Sequence, residues 1–301
     1  MKRKKTSVTT LNQICRYIPR SLVSEIAKET GVDKQSRRIS PWSHVMAHMF
    51  AHLSHALSIN DICDTLKNHA REIARVRGAK PMSKNGFSHA SRTRNPEMAE
   101  TLFWRLKAHL EKVSPKFGTG NGRNGMPRRF KRVIHVADAT TIRLSLNCMD
   151  WAQHRRRKAA AKCHVKLNLA SLMPTMILVK HSTHEAIEAR ELCSDLKSGE
   201  VCIFDRGYLD FKHLYDLDAR GIFWVTRSKK NMSYKVLSSA QITKGRVIND
   251  QIILLTGLNR YRDYPTPLRR VQAIVTIDGQ DRTMVYIGTV AKYQKIFQRQ
   301  F

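Results

Sequence analysis

Two stretches of the chain end a run of apolar residues on a carboxylate: Arg132-Val133-Ile134-His135-Val136-Ala137-Asp138-Ala139-Thr140 and Glu200-Val201-Cys202-Ile203-Phe204-Asp205-Arg206-Gly207-Tyr208. In each, β-branched and apolar residues give way to an aspartate and then to small or turn-forming residues. That is the pattern of a buried strand delivering one side chain to the edge of a sheet. The chain carries 54 Lys and Arg against 24 Asp and Glu, a net charge of +30, so acids placed this way are poor candidates for solubilising surface. Paired hard oxygen donors suit a divalent cation such as Mg2+, and so basic a chain attracts a polyanion. Each acid also has a plainer reading. Asp138 and Thr140 could cap a turn through the backbone, and Asp205 could pair with Arg206.

The elements that must position these acids change character along the chain. From about Thr10 to Leu110 apolar residues recur at helical spacing. Leu11, Ile14, Cys15 and Ile18 share a face, Pro19-Arg20-Ser21 breaks to a helix through Leu22, Ile26 and Ala27, and Gly31 closes it. Ser40-Pro41-Trp42 supplies an N-cap serine and a first-turn proline for a helix towards Leu57. Ser58-Ile59-Asn60-Asp61 starts another that runs to Arg77, and Pro81-Met82-Ser83 and Asn95-Pro96-Glu97 open two more. His44, His48, His52 and His55 lie on one helix face. Such spacing can hold a metal, but no carboxylate or cysteine accompanies it, so a polar or packed face is expected.

Residues 114–129 are rich in Gly, Pro, Asn and Arg and read as a connector. Beyond them the apolar period becomes two. Strands are expected over 133–137, 141–145, 163–170 and 175–180, then a helix over 185–197, a strand over 201–204, a short helix over 213–219 and a strand over 222–226. After Arg227 only strands and turns are expected, over 234–237, 247–255, 271–277 and 283–287, with Asp278-Gly279 as a hairpin turn. Periodicity alone therefore gives a helical region followed by an α/β domain with a mixed sheet.

At 301 residues the chain can bury one large core or two modest ones. No apolar run approaches the roughly 18 residues of a spanning helix. The basic start Met1-Lys2-Arg3-Lys4-Lys5 is followed by polar residues and Arg16 instead of an apolar core, which suits a DNA-facing tail better than a signal peptide. Six scattered cysteines without a C-x-x-C pair point to a reducing cytoplasm and to small core residues. A basic helical domain can place a helix in the major groove while its cations fix register on phosphates. The stretch 83–94, which mixes hydrogen-bond donors with basic residues, is the candidate recognition helix.

The order Asp-x-Thr and, tens of residues later, apolar-Asp-Arg-Gly-Tyr resembles the DDE transposases of bacterial insertion sequences, specifically the insertion sequence 4 family. The block His154-Arg155-Arg156-Arg157-Lys158-Ala159-Ala160-Ala161-Lys162-Cys163-His164 and the later Gly221-Ile222-Phe223-Trp224-Val225-Thr226-Arg227 look like the same family. The resemblance extends from near the N-terminus to roughly Val290. It implies a helical DNA-binding domain over 1–112, a flexible linker over 113–130, an α/β ribonuclease-H-like core over 131–227, a β-rich insertion over 228–290 and a tail over 291–301 outside the family. It also implies that Asp138 and Asp205 are catalytic and hold Mg2+, with Mn2+ as a substitute, for cleavage and joining of double-stranded DNA. Two ions about 3.5–4 Å apart would serve the attacking and departing oxygens. Mutual repulsion should raise one carboxyl pKa, so that metal binding grows with pH. Arg155, Arg156, Arg157, Lys158 and Lys162 are expected to grip the phosphate backbone near the cut, with Arg206 beside Asp205. An exposed helix or hairpin face is the alternative for that block.

One departure stands out. The family takes a third ligand from a Glu in a Tyr-x-x-Arg-x-x-x-Glu setting, whereas no Glu follows Glu200, and the positions after Tyr293 are Ile296 and Gln300. The tail reads as a frame change with early termination, and Asp250, Asp263, Asp278 and Asp281, expected in turns, are not expected to rescue the site. The expectation is a defective transposase that acts on element-end and target DNA. It would work in the bacterial cytoplasm, at the nucleoid, without a membrane, as a homodimer or in mixed complexes with full-length transposase. A DNA-binding-only remnant is the second reading, and a stand-alone nuclease has no distinguishing feature.

Overall fold

The computed structural model describes residues 7–35, 38–114, 117, 132–144, 153–154, 158–181, 185–229, 231–242 and 245–290. It divides into two compact units, Met1–Phe117 and Gly118–Phe301.

The first unit is helical: α1 (Ser7–Cys15), α2 (Leu22–Glu29), α3 (Pro41–Ser54), α4 (Ile59–Asn68), α5 (Ala70–Ala74), α6 (Lys84–Thr93) and α7 (Glu97–Val113). Three of these start as the serine signals require. The side chains of Ser40, Ser58 and Ser83 accept the backbone N–H of Ser43, Asp61 and Gly86, each three residues on, and each cap is worth about 1 kcal/mol. Leu11, Met46, Phe50, Leu66, Ile73 and Phe87 fill one core cluster, and Ile18, Val23, Ile26 and Met98 a second. Two expectations need correction. The helix drawn towards Leu57 stops at Ser54, because His55 takes a left-handed φ of 52°. The helix drawn from Ser58 to Arg77 breaks at His69 into α4 and α5, where Asn68 and His69 put two weak helix formers in succession.

The second unit is built on one sheet. Its elements are β1 (Ile134–Leu144), β2 (Gln153–His154), β3 (Lys158–Asn168), β4 (Pro174–His181), α8 (Glu185–Leu192), β5 (Val201–Phe204), a 3₁₀ turn (Arg206–Tyr208), α9 (Phe211–Ala219), β6 (Phe223–Arg227), β7 (Tyr234–Ser239), β8 (Val247–Leu255), α10 (Leu258–Asp263), β9 (Leu268–Ile277) and β10 (Gln280–Thr289). The order across the sheet is β2-β3-β1-β5-β6-β10-β9-β8-β7, with β4 also pairing β3. β1, β5 and β6 are parallel to one another, and the other pairings are antiparallel. Parallel neighbours need crossover connections, which α8 and α9 supply. Leu192 and Cys193, together with Leu214 and Leu217 of α9, bury Ala137, Cys202, Phe204 and Trp224 on one face of the sheet. At the β9–β10 turn Asp278 and Gly279 both have positive φ, 52° and 75°, as a two-residue hairpin demands.

Here too the structure differs from the pattern reading. The strands expected over 133–137 and 141–145 are one continuous β1. β3 keeps pairing it as far as Leu144 opposite Ala159, so nothing ends the strand at Asp138. β3 itself begins at Lys158, inside the basic block. α10 lies where only strands and turns were expected. Cys15, Cys63, Cys193 and Cys202 are buried and Cys163 is half-buried, all as free thiols.

Candidate active site

The parallel pairing of β1 with β5 sets Ile134 against Val201 and Ala137 against Phe204. Asp138 and Asp205 are the next residue on each chain, so the register brings them to neighbouring positions, roughly 4.8 Å apart in backbone spacing. Ala137 and Phe204 are buried against the helices. Side chains alternate along a strand, and Asp205 keeps extended backbone (φ −76°, ψ 159°). Both aspartates therefore emerge on the face away from α8 and α9. β6 continues the row: Thr226 is level with Phe204, which puts Arg227 beside Asp205.

Arg227 takes up that position with its charge. Its Nε donates to Asp205 Oδ1 at 2.8 Å and its Nη2 donates to the same oxygen. Burial alone would raise the Asp205 carboxyl. Donation from Arg227, the backbone N–H of Arg206 and the two guanidinium charges outweigh it and hold the carboxyl below its usual value. Two expectations are corrected. Asp205 pairs with Arg227, whereas Arg206 is exposed in the 3₁₀ turn. And the repulsion expected to raise one of the two carboxyls is not seen at Asp205, which is lowered because donation and charge from Arg227 and Arg206 outweigh its burial. Asp138 makes the local bond that its plainer reading foresaw, accepting the Ala139 N–H at 2.8 Å, but it does so inside a strand.

The rest of Asp-Arg-Gly-Tyr is shaped by α8 and β3. A Cβ on Gly207 would lie 1.6 Å from Glu185 Oε2, so only glycine lets this carboxylate rest on the turn. Glu185 Oε1 accepts from Lys162 Nζ at 2.9 Å. Tyr208 is buried with its hydroxyl 2.8 Å from His164 Nδ1. Burial, then the charges of Glu185 and Asp138, push the Tyr208 phenol up, while burial pulls the His164 imidazole down. Lys162, expected on phosphate, is thus turned towards α8. Arg155, Arg156 and Arg157 lie outside the described residues, as does the 291–301 tail, and Lys158 is placed by its backbone at the start of β3.

The other acids of the sheet are elsewhere. Asp250 lies inside β8, not in a turn, and is held by Arg269. It stands four strand spacings from Asp205, roughly 19 Å, by way of Arg227, Tyr286 and Val271. Asp281 binds Thr276 and Arg246. Among the described residues no group of three or more His, Cys, Asp or Glu could hold a metal.

Residues 129–286 match the family model described as "Transposase DDE domain". The chain belongs to that family. The DDE domain takes in β1 to β9 and most of β10, and so includes both aspartates. Residues 6–75 match a second model, "Domain of unknown function (DUF4372)". The protein "Putative transposase y4zB" of Sinorhizobium fredii is 27% identical over 183 residues, 57% of this chain and 50% of that protein. "Transposase for insertion sequence element IS231B" of Bacillus thuringiensis subsp. berliner is 24% identical over 224 residues, 73% of this chain and 44% of its own length. The chain thus spans about half the length of the curated relatives it matches. No helix among the described residues is long and apolar enough to cross a membrane.

Pattern reading missed two residues that touch the Asp-Arg-Gly-Tyr stretch, Arg227 on Asp205 and Glu185 beside Gly207. Arg227 had a usable signal, since Phe223-Trp224-Val225-Thr226-Arg227 is a third apolar run ending in a charge. Glu185 had none, because only tertiary packing sets it on Gly207.

Proposed function

We propose that the chain is the DNA-binding and strand-cleaving portion of an insertion-sequence transposase of the insertion sequence 4 family, with a ribonuclease-H-like core. The observation that supports this most is the row of Asp138 and Asp205, each the residue after the last register pair, Ala137 and Phe204, of adjacent parallel strands in a sheet ordered β4-β3-β1-β5-β6. Two carboxylates one strand apart on one face are a donor set of the right hardness for Mg2+ or Mn2+, and a cation, Arg227, already rests on one of them. Asp138 and Asp205 would hold the metal. When bound, it supplies charge neutralisation at the phosphoryl group and an activated oxygen nucleophile. Arg227 orients Asp205, exposed Arg206 adds positive charge at the rim, and Gly207 allows the turn to close on Glu185. Arg155, Arg156, Arg157, Lys158 and Lys162 remain the proposed backbone contacts, with Lys162 able to serve only by leaving Glu185.

In the helical unit, α6 buries Phe87 and Ala90 and exposes Lys84, Asn85, Ser88, His89 and Arg92. Polar donors on one face over an apolar anchor suit a helix that reads a groove, and we assign α6 that role. The protein would act on double-stranded DNA in the bacterial cytoplasm, at the nucleoid, as a homodimer or together with a longer transposase.

A second reading, DNA binding without cleavage, is favoured by a specific observation: Arg227 already donates to Asp205 and occupies that acid. Purified protein, labelled element-end DNA and Mg2+ or Mn2+ separate the two. Nicking that Asp138→Ala or Asp205→Ala abolishes supports cleavage, whereas a salt-sensitive gel shift without any cut supports the binder. Each phosphate contact should add about 0.9 to the log–log salt slope.

A further inference from the structure

The sheet holds two arginine–aspartate pairs of different build. Arg269 forks onto Asp250 with Nε on Oδ1 at 2.7 Å and Nη2 on Oδ2, and the two side chains are 18% and 16% exposed. That is the bidentate arrangement of a fixed pair. Arg227 places both Nε and Nη2 on Oδ1 of Asp205, at 41% and 40% exposure. An exposed pair of this kind contributes little to stability, because water and salt screen it. It is therefore easily displaced.

Position gives the loose pair a use. Asp138, Asp205 and Arg227 occupy one row on neighbouring strands, so the guanidinium is the cation at hand for two acids one strand apart. Its single charge offsets half of theirs. We propose that Arg227 is the resident counter-cation of the Asp138–Asp205 pair, occupying Asp205 until a divalent ion displaces it. The inference rests on the metal-site reading above. Arg227 is then a positioning residue that keeps the metal-free site from repelling itself and sets how tightly the metal is held. The Arg269–Asp250 fork is the internal control, an arginine that no ion should dislodge.

The test is Mn2+ binding by the full chain, followed by electron paramagnetic resonance and calorimetry. Asp138→Asn and Asp205→Asn should abolish the site. Arg227→Gln should bind Mn2+ about three- to tenfold more tightly than wild type, since it removes a competing positive charge a few ångströms away. Arg227→Lys, which keeps the charge, should stay near wild type. In the wild-type chain, phenylglyoxal modification at Arg227, located by mass spectrometry, should increase when Mn2+ is added while that of Arg269 does not change. This last readout holds even where Arg227→Gln fails to fold. If the two Asp→Asn variants leave Mn2+ binding intact, the metal-site reading itself is wrong. If they abolish it but Arg227→Gln binds no more tightly, or Arg227 reactivity fails to rise, the counter-cation role is overturned and the metal site stands.

Discussion

Removing Asp195 should damage the second unit more than removing its partner Lys166. Lys166 projects from β3 with its side chain 0% exposed, its ammonium donating to Leu192 O at 2.9 Å and to Asp195 Oδ1. Asp195 is 47% exposed. Asp195→Ala leaves a buried ammonium with one carbonyl, and an uncompensated buried charge costs about 3–5 kcal/mol. Lys166→Met removes that charge and keeps most of the volume. Asp195 then finds water, and the Leu192 carbonyl loses one bond, about 1–2 kcal/mol in all. The assay is urea unfolding followed by Trp224, buried in this unit's core, with Trp42, Trp104 and Trp151 replaced by Phe. With a slope of about 1–3 kcal/mol per molar urea, the difference of about 2–3 kcal/mol should put the midpoint of Asp195→Ala about 1 M below that of Lys166→Met. Lys166→Met/Asp195→Ala should resemble Lys166→Met alone. A Lys166→Met variant as unstable as Asp195→Ala would refute the reasoning.

Other outcomes follow from single contacts. Gly207→Ala should force Glu185 off Lys162 at a cost of about 1–2 kcal/mol, and Glu185→Ala in the same chain should recover part of the lost melting temperature. His44 is held at about 4 by burial and then by the charges of His48 and Arg94, so its neutral form stabilises the helical unit fully above the unfolded value of about 6.5. That stability fades as pH falls from 6.5 towards 4, on the order of 2 kcal/mol by pH 5. Urea curves read by circular dichroism at pH 7.5 and 5 should show it, and His44→Gln should flatten it. Ser83→Ala should cost about 1 kcal/mol and speed amide exchange in the first turn of α6. Unchanged exchange there would mean that the cap does not hold the turn.

Local rules explain what could be read without coordinates. Ser40, Ser58 and Ser83 mark helix starts because a cap bond closes within three residues, and the Asp278-Gly279 turn because two positive φ values are needed there. Asp138 and Asp205 stood out as candidates by type and context. What could not be read depends on partners distant in sequence. β1 runs through Asp138 because β3 continues to pair it, and whether Arg206 or Arg227 reaches Asp205 is decided by the β5–β6 register. Glu185 reaches Gly207 only after α8 crosses back over the sheet. A one-residue slip would send each of these side chains to the other face, and no property of a single strand fixes that choice.

A single hydrogen-bonded ladder connects β5, through β6, to the outlying β8 and β7. Those outer strands are thereby denied the freedom of a swinging flap. Asp250, on β8, is thereby kept four strand widths, roughly 19 Å, from Asp205. Neither acid can approach the other without breaking a strand pair.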